Sequence, residues 1–260
     1  MSVDVKQLGV SVGGKPIVHG VDLRIDDGER VGLIGSSGSG KSMISKALLG
    51  LLPTNAQVSG SVLLGDTQVI GADETVLASL RGRYVGTVFQ NPASSLNPVL
   101  TVGKQVELPL KLHYNLNKTD RQTRVVAMLE KVGLDEATAK KYPSELSGGQ
   151  QQRVGIATAL ITSPRLIIAD EPTTALDSIT QRQIVDLLVS LVDKSGASML
   201  FITHDFSVLA RATTRCYVLD DGRIIESGNT ADLLDNPQNE QTEKLVGAAR
   251  ELTLAGEGSR

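Results

Sequence analysis

The sequence predicts an α/β fold, and three observations carry that prediction. A short apolar run, Arg30-Val31-Gly32-Leu33-Ile34, leads into a glycine-rich loop and then into a stretch of helix-like composition from Met43 to Leu52. Two further short runs, Leu166-Ile167-Ile168-Ala169 and Met199-Leu200-Phe201-Ile202, have the form of parallel strands covered on both faces. Between them, Thr180 to Val192 reads as a crossover helix.

Each remaining element follows from local pattern. Alternation in Val3-Asp4-Val5-Lys6 and in Val21-Asp22-Leu23-Arg24-Ile25 predicts half-buried strands, with Gly13-Gly14 marking the turn between them. Gly60 to Ile70 and Tyr84 to Phe89 also read as β, whereas Asn91 to Arg165 is largely helical in character with Pro and Gly punctuation. Within that segment Val125, Met128, Leu129 and Val132 recur at helical spacing, which predicts an amphipathic helix over 121–132. The expected organisation is an α/β core made of 1–90 and 166–250, its N-terminal part antiparallel β, with a helical subdomain inserted at 91–165. The polar tail 251–260, with Gly256 and Gly258, is expected to fray.

Composition narrows the function classes. With 40 % hydrophobic residues in 260, the chain has enough apolar surface for a substantial core. Lys plus Arg number 26 against 29 Asp plus Glu, a net charge of −3, so no basic field marks a nucleic-acid partner and none is expected. The only cysteine, Cys216, reads as a small buried apolar residue in a reducing cytosol. The start, Met1 to Lys6, lacks the basic and then apolar run of a signal peptide, and Leu48 to Leu52 falls far short of the ~20 residues that span a bilayer.

Gly35-Ser36-Ser37-Gly38-Ser39-Gly40-Lys41-Ser42 matches the phosphate-binding pattern G-x-x-x-x-G-K-[ST], between a predicted strand and a predicted helix as the chemistry requires. The glycines let backbone N–H groups turn towards phosphates, Lys41 supplies a mobile cation, and Ser42 offers an oxygen to Mg²⁺. That points to ATP and Mg²⁺ as the ligands. Downstream, the apolar run ends in Asp170-Glu171, two carboxylates where burial is costly unless they hold a metal or activate a nucleophile. The pattern assigns Asp170 to Mg²⁺ through its water shell, and Glu171 to the water that attacks the γ-phosphorus.

Leu146-Ser147-Gly148-Gly149-Gln150 follows, then Gln151-Gln152-Arg153 and the apolar run Val154 to Ile161. A Ser-Gly-Gly at a helix start makes an anion site from a hydroxyl, N–H groups and the helix dipole, and it equally makes an ordinary N-cap. On this string the sequence closely resembles the ABC ATPase family, whose signature is LSGGQ. The other family motifs occur in family order: Gln90 after a β segment, Ala175-Leu176-Asp177 past Glu171, and His204 closing a strand. The resemblance covers nearly the whole chain. It implies that Gln90 lies near Mg²⁺ and the attacking water, that His204 contacts the γ-phosphate, that Ser147, Gly148 and Gly149 serve the ATP of a facing cassette, and that Gln150 and Asp177 are nucleotide-binding residues. The aromatic that commonly stacks on adenine is absent, and by alignment with the family Val12 takes its place.

The string Phe89-Gln90-Asn91-Pro92 through Ser95-Leu96-Asn97-Pro98 to Thr101-Val102-Gly103 is similar to the peptide and nickel importer branch. That similarity implies an ATPase on the cytoplasmic face of the inner membrane, energising uptake of peptides, nickel or a related small solute. The implied partners are transmembrane permease subunits, an extracytoplasmic solute-binding protein, and a second ATP-binding subunit, a heterodimer in preference to a homodimer. The alternative is a soluble ABC ATPase acting on DNA or ribosomes. Only 55 residues separate Gln90 from Leu146, which leaves no room for the long coiled coil typical of such proteins. A regulator that binds ATP without cleaving it is disfavoured because Glu171 and His204 are both present.

Overall fold

A computed structural model describes residues 2–174 and 176–257. The chain divides into two compact units, Met1–Leu77 with Ser198–Arg260, and Ala78–Ala197. The segment expected to be the helical insertion, 91–165, lies wholly in the second unit.

In the first unit, β1 (Val3–Val12) pairs antiparallel with β2 (Lys15–Ile25), and Gly13 and Gly14 form the turn at φ +58° and +79°. Positive φ at both central residues is what a tight two-residue hairpin requires. β1 also pairs with β4 (Ala56–Leu64), and β4 with β5 (Thr67–Gln68), so the sheet order is β2-β1-β4-β5. Val3, Val5, Leu8 and Val10 are buried, but the expected alternation is incomplete: Asp4 is buried as well, and a register shift between Val5 and Leu8 breaks the two-residue period. The mostly β stretch expected over 60–70 starts earlier, at Ala56, and is divided into β4 and β5, because Gly65 turns the chain at φ +58°.

The same unit contains a second set of strands. β3 (Arg30–Ile34) runs parallel to β8 (Ser198–Thr203) on one side and to β9 (Arg215–Asp220) on the other, and β10 (Arg223–Asn229) adds antiparallel to β9. Val31, Leu33, Ile34 and Leu200 are fully buried, as the continuous apolar runs foretold. Helix α1 (Lys41–Leu49) stops short of the Leu52 expected from composition, because Gly50 takes the left-handed conformation at φ +63° and caps it.

One ion pair ties β9 to β2 and to Glu29, the residue just before β3. Arg215 Nε and Nη2 donate to Glu29 Oε1 and Oε2 at 2.7 and 2.9 Å, and Nη1 donates to the Tyr217 hydroxyl at 2.7 Å. Arg215 Nη2 also donates to the Arg24 carbonyl at 2.8 Å, so the guanidinium joins the antiparallel sheet to the parallel strands. Strand β9 also carries the thiol of Cys216, whose burial pushes its pKa up to about 11. It is the buried small residue that the sequence suggested.

After α2 (Glu74–Leu80), the second unit begins with β6 (Val85–Val88), which pairs parallel with β7 (Leu166–Asp170). Between these strands lie α3 (Pro92–Ser95), α4 (Val102–His113), α5 (Lys118–Lys131) and α6 (Gly148–Leu160). Helix α5 starts where Asn117 accepts a hydrogen bond from the Asp120 N–H at 2.9 Å, three residues before the amphipathic pattern became visible. Its apolar face buries Val125 and Leu129. Helix α7 (Ser178–Ser195) follows β7 and ends at Gly196, at φ +68°.

The first unit closes with α8 (Phe206–Ala212), α9 (Thr230–Asp235) and α10 (Glu240–Glu257). Helix α10 continues where a frayed tail was expected from 251, since Glu251, Leu252, Leu254 and Ala255 are good helix formers. Residues 258–260 of that expected tail lie outside the described residues. Among the described residues, no helix is long and apolar enough to cross a membrane.

Candidate nucleotide site

The glycine-rich loop sits where strand β3 hands over to α1. Gly35 has no space for a side chain, because a Cβ there would come within 2.2 Å of the Leu219 carbonyl oxygen. Gly38 and Gly40 stand at φ +84° and +107°, conformations that other residues avoid. Lys41 is only 5 % exposed, and its Nζ donates to the carbonyls of Gly35 and Ser36, both at 2.8 Å. The ammonium therefore lies across the loop. Gly40 is the N-cap of α1 and no side chain caps that helix, so its positive end faces the loop. Ser36, Ser37 and Ser42 are exposed, while Ser39 is buried with its hydroxyl unpartnered. A glycine cradle, a cation folded over it and an uncapped helix N-terminus fit the phosphates of ATP.

In the second unit, β7 buries Leu166 to Ala169 completely and delivers Asp170 and Glu171 at its end. Glu171 has a left-handed backbone, φ +46°, which is costly for a residue with a Cβ. Its side chain is held from two directions. Gln90 Nε2 and Thr174 Oγ1 each donate to Glu171 Oε2 at 3.0 Å. The structure thus brings together two of the residues singled out as catalytic, 81 positions apart in sequence. Thr174 is a partner that the sequence pattern did not reveal.

Asp170 is half-buried beside Glu171. Among the described residues no cluster of three or more His, Cys, Asp or Glu could hold a metal alone. Mg²⁺ does not need one, since it commonly takes one or two protein oxygens and completes its shell with phosphates and water. The oxygens of Ser42, Asp170 and the Gln90 amide are of the right hard type.

Ser147 is exposed and forms a capping box on α6. Its Oγ accepts from the Gln150 N–H at 3.3 Å, and Gln150 Oε1 accepts from the Ser147 N–H at 3.0 Å. The cap orients the hydroxyl and the two glycines at the helix start. At Gly149 a Cβ would lie 2.8 Å from Thr180 Cγ2, whereas at Gly148 it would only meet Leu176 Cδ2 at an ordinary contact distance of 3.7 Å. Asp177 caps α7, its Oδ1 accepting from Ile179 N–H at 3.1 Å and Thr180 N–H at 3.0 Å. These bonds, chiefly those from Thr180, hold its pKa below the ordinary Asp value. Ala175 lies outside the described residues.

His204 belongs to the first unit, exposed just past the end of β8. Asp205 beside it caps α8 by accepting from the Ser207 N–H at 2.8 Å. Val12, also in the first unit, is the last residue of β1, half-buried and paired with Lys15 and Ala56 on its two neighbours.

Fold and site define a P-loop ATP-binding protein of the α/β class. The chain belongs to the ABC transporter family, whose model matches residues 18–174. It is 41 % identical over 265 residues to an oligopeptide transport ATP-binding protein of Mycobacterium tuberculosis, covering 99 % of this chain and 43 % of the relative. The chain thus spans less than half the length of that relative. A putative peptide import ATP-binding protein of Brucella ovis is 42 % identical over 255 residues, covering 92 % of this chain and 75 % of its own. Among solved structures, a dimeric ATP-binding cassette in a post-hydrolysis state with ADP and Pi superposes with a TM-score of 0.78 at 35 % identity, covering 88 % of this chain and 98 % of that one.

Proposed function

We propose that this chain is the ATP-hydrolysing subunit of an ABC importer for peptides. The observation that carries the reading is the carboxylate of Glu171, fixed by Gln90 and Thr174 in a chain that also has a complete phosphate loop. The importer assignment is supported by relatives named for peptide import and oligopeptide transport.

In this reading the backbone of Gly35 to Ser42 and the Lys41 ammonium bind the phosphates, and Val12 lies against adenine. Ser42, Gln90 and Asp170 would hold Mg²⁺, which would neutralise phosphate charge there. Glu171 accepts a proton from a water whose oxygen bonds to the γ-phosphorus; the bond from that phosphorus to the bridging β-phosphate oxygen breaks with its electron pair on the oxygen, leaving ADP and Pi. His204 orients the γ-phosphate. Two cassettes close on two nucleotides, so that Ser147, Gly148, Gly149, Gln150 and Asp177 of one complete the site of the other. The second cassette is a different chain in preference to an identical one.

Beside Gln90 a groove of about 210 Å³ is lined by Phe89, Leu96, Leu100 and Leu108 among others. Phe89 is 50 % and Leu108 45 % exposed, an apolar surface suited to a cytoplasmic helix of a permease subunit. Such docking puts the chain at the cytoplasmic face of the inner membrane, with a solute-binding protein on the far side. The test is phosphate release from ATP by the purified chain with Mg²⁺, alone and reconstituted with its permease subunits in vesicles loaded for peptide uptake. Peptide-dependent stimulation is expected; ATP turnover that ignores permease and peptide would contradict the importer reading.

A further inference from the structure

Three consecutive side chains after the signature, Gln151, Gln152 and Arg153, have no part in the reading above. Successive helical residues point about 100° apart, so three in a row address three sides of α6. Each meets a backbone carbonyl. Gln151 Nε2 donates to Pro143 O at 2.9 Å and Leu146 O at 3.3 Å, holding the segment that enters the signature. Arg153 Nη1 donates to Val132 O at 2.6 Å, at the C-terminal end of α5. Gln152, 1 % exposed, directs its Nε2 at the carbonyl of Phe89, at 3.5 Å.

Phe89 immediately precedes Gln90, whose own Nε2 holds Glu171. It also lies just past the end of β6. A buried amide is costly to leave without an acceptor, so the Phe89 peptide is held as long as α6 keeps its place. We propose that Gln152 is a positioning residue for ATP hydrolysis: it ties α6, which carries the signature at its N-terminus, to the peptide from which Gln90 reaches Glu171. A displacement of α6 then moves that peptide or releases it, and the grip of Gln90 on Glu171 changes with it. The inference rests on the ATPase reading and assigns a route within it. Gln151 and Arg153 hold other segments and provide built-in controls.

The experiment is a kinetic double-mutant cycle on the purified full chain at saturating Mg²⁺ and protein concentration, using Gln152→Leu, Gln90→Ala, their combination, and Arg153→Leu alone and with Gln90→Ala. Gln152→Leu should lower kcat on the order of fivefold to tenfold, the rate equivalent of one net hydrogen bond, with KM for ATP unchanged. In the Gln90→Ala background it should cause no further loss, whereas the Arg153→Leu and Gln90→Ala losses should multiply. Gln152→Met, unbranched and of similar length, goes through the same cycle should circular dichroism find the leucine variant misfolded. Multiplying losses for the Gln152 variant, or a raised KM at unchanged kcat, would overturn the tie while leaving the ATPase intact. A wild-type chain without hydrolysis would overturn both.

Discussion

Gln90 donates from Nε2 to Glu171 Oε2 at 3.0 Å, and Thr174 Oγ1 donates to the same oxygen at the same distance. Two donors on one carboxylate oxygen restrict its rotation and fix where the side chain points. The backbone beneath it is left-handed at φ +46°, so the position is held at a cost.

That cost can be measured. Replacing Glu171 by Gly should make the fold about 1 kcal/mol more stable than replacing it by Ala, because only glycine takes the left-handed conformation freely. Neither variant should hydrolyse ATP. Denaturant unfolding of the two proteins reads the difference, and equal midpoints would mean the strain is absent in solution.

Val12 sets the second expectation. An aromatic ring stacked on a base contributes about 1–3 kcal/mol, and Val12 has none to offer. Val12→Tyr should therefore bind ATP roughly tenfold tighter and raise the preference for ATP over GTP. Isothermal titration with both nucleotides decides it; unchanged affinity would place the base elsewhere.

Acid should weaken the join of β9 to Glu29. Burial raises the Glu29 pKa, but the hydrogen bonds from Arg215 and from the Asp26 N–H outweigh it, and the net position is below the ordinary value of 4.5. A depressed carboxylate stabilises the fold above its unfolded pKa, and that contribution is lost as pH falls through the lower folded value. Glu29→Gln should cost about 1.5–3 kcal/mol near neutral pH and show a shallower loss of stability below pH 4.5 than wild type. Parallel acid unfolding curves for both proteins would deny the linkage.

The fold class and the phosphate loop were legible because their signals are local. A buried strand, glycines and a lysine in fixed order need no tertiary partner to be recognised. Element ends were less so: Gly50 and Gly65 stop α1 and β4 through left-handed φ values, which composition alone does not announce. The grip on Glu171 was harder still. Thr174 lies three residues away and Gln90 81, and only the packing of β6 beside β7 brings the second one near. The Gln152 and Phe89 contact, 63 residues apart, belongs to the same class of information.

Sharing of sites between cassettes predicts complementation. Ser147→Arg should bind ATP nearly as wild type does but fail to turn it over, since in the proposed site Gly35 to Ser42 would supply the phosphate contacts within the chain. Mixed with Lys41→Ala in a homodimer, it places both defects in one site and neither in the other. Partial recovery of hydrolysis in the mixture is expected, as is activity that falls on dilution. No recovery, together with full activity in the dilute monomer, would refute completion in trans. Recovery only with a different cassette would identify a heterodimer.

The most direct measurement is paired ATP binding and phosphate release for the wild type and for Glu171→Gln. The substitution keeps size and hydrogen bonding but removes the acceptor charge. A general base is worth roughly 100-fold or more in rate, so hydrolysis should drop by at least that factor while the dissociation constant for ATP stays within about twofold and a closed dimer accumulates. Lys41→Ala should instead lose binding. Hydrolysis by Glu171→Gln at the wild-type rate would contradict the assignment of Glu171 and, with it, the account of how this chain cleaves ATP.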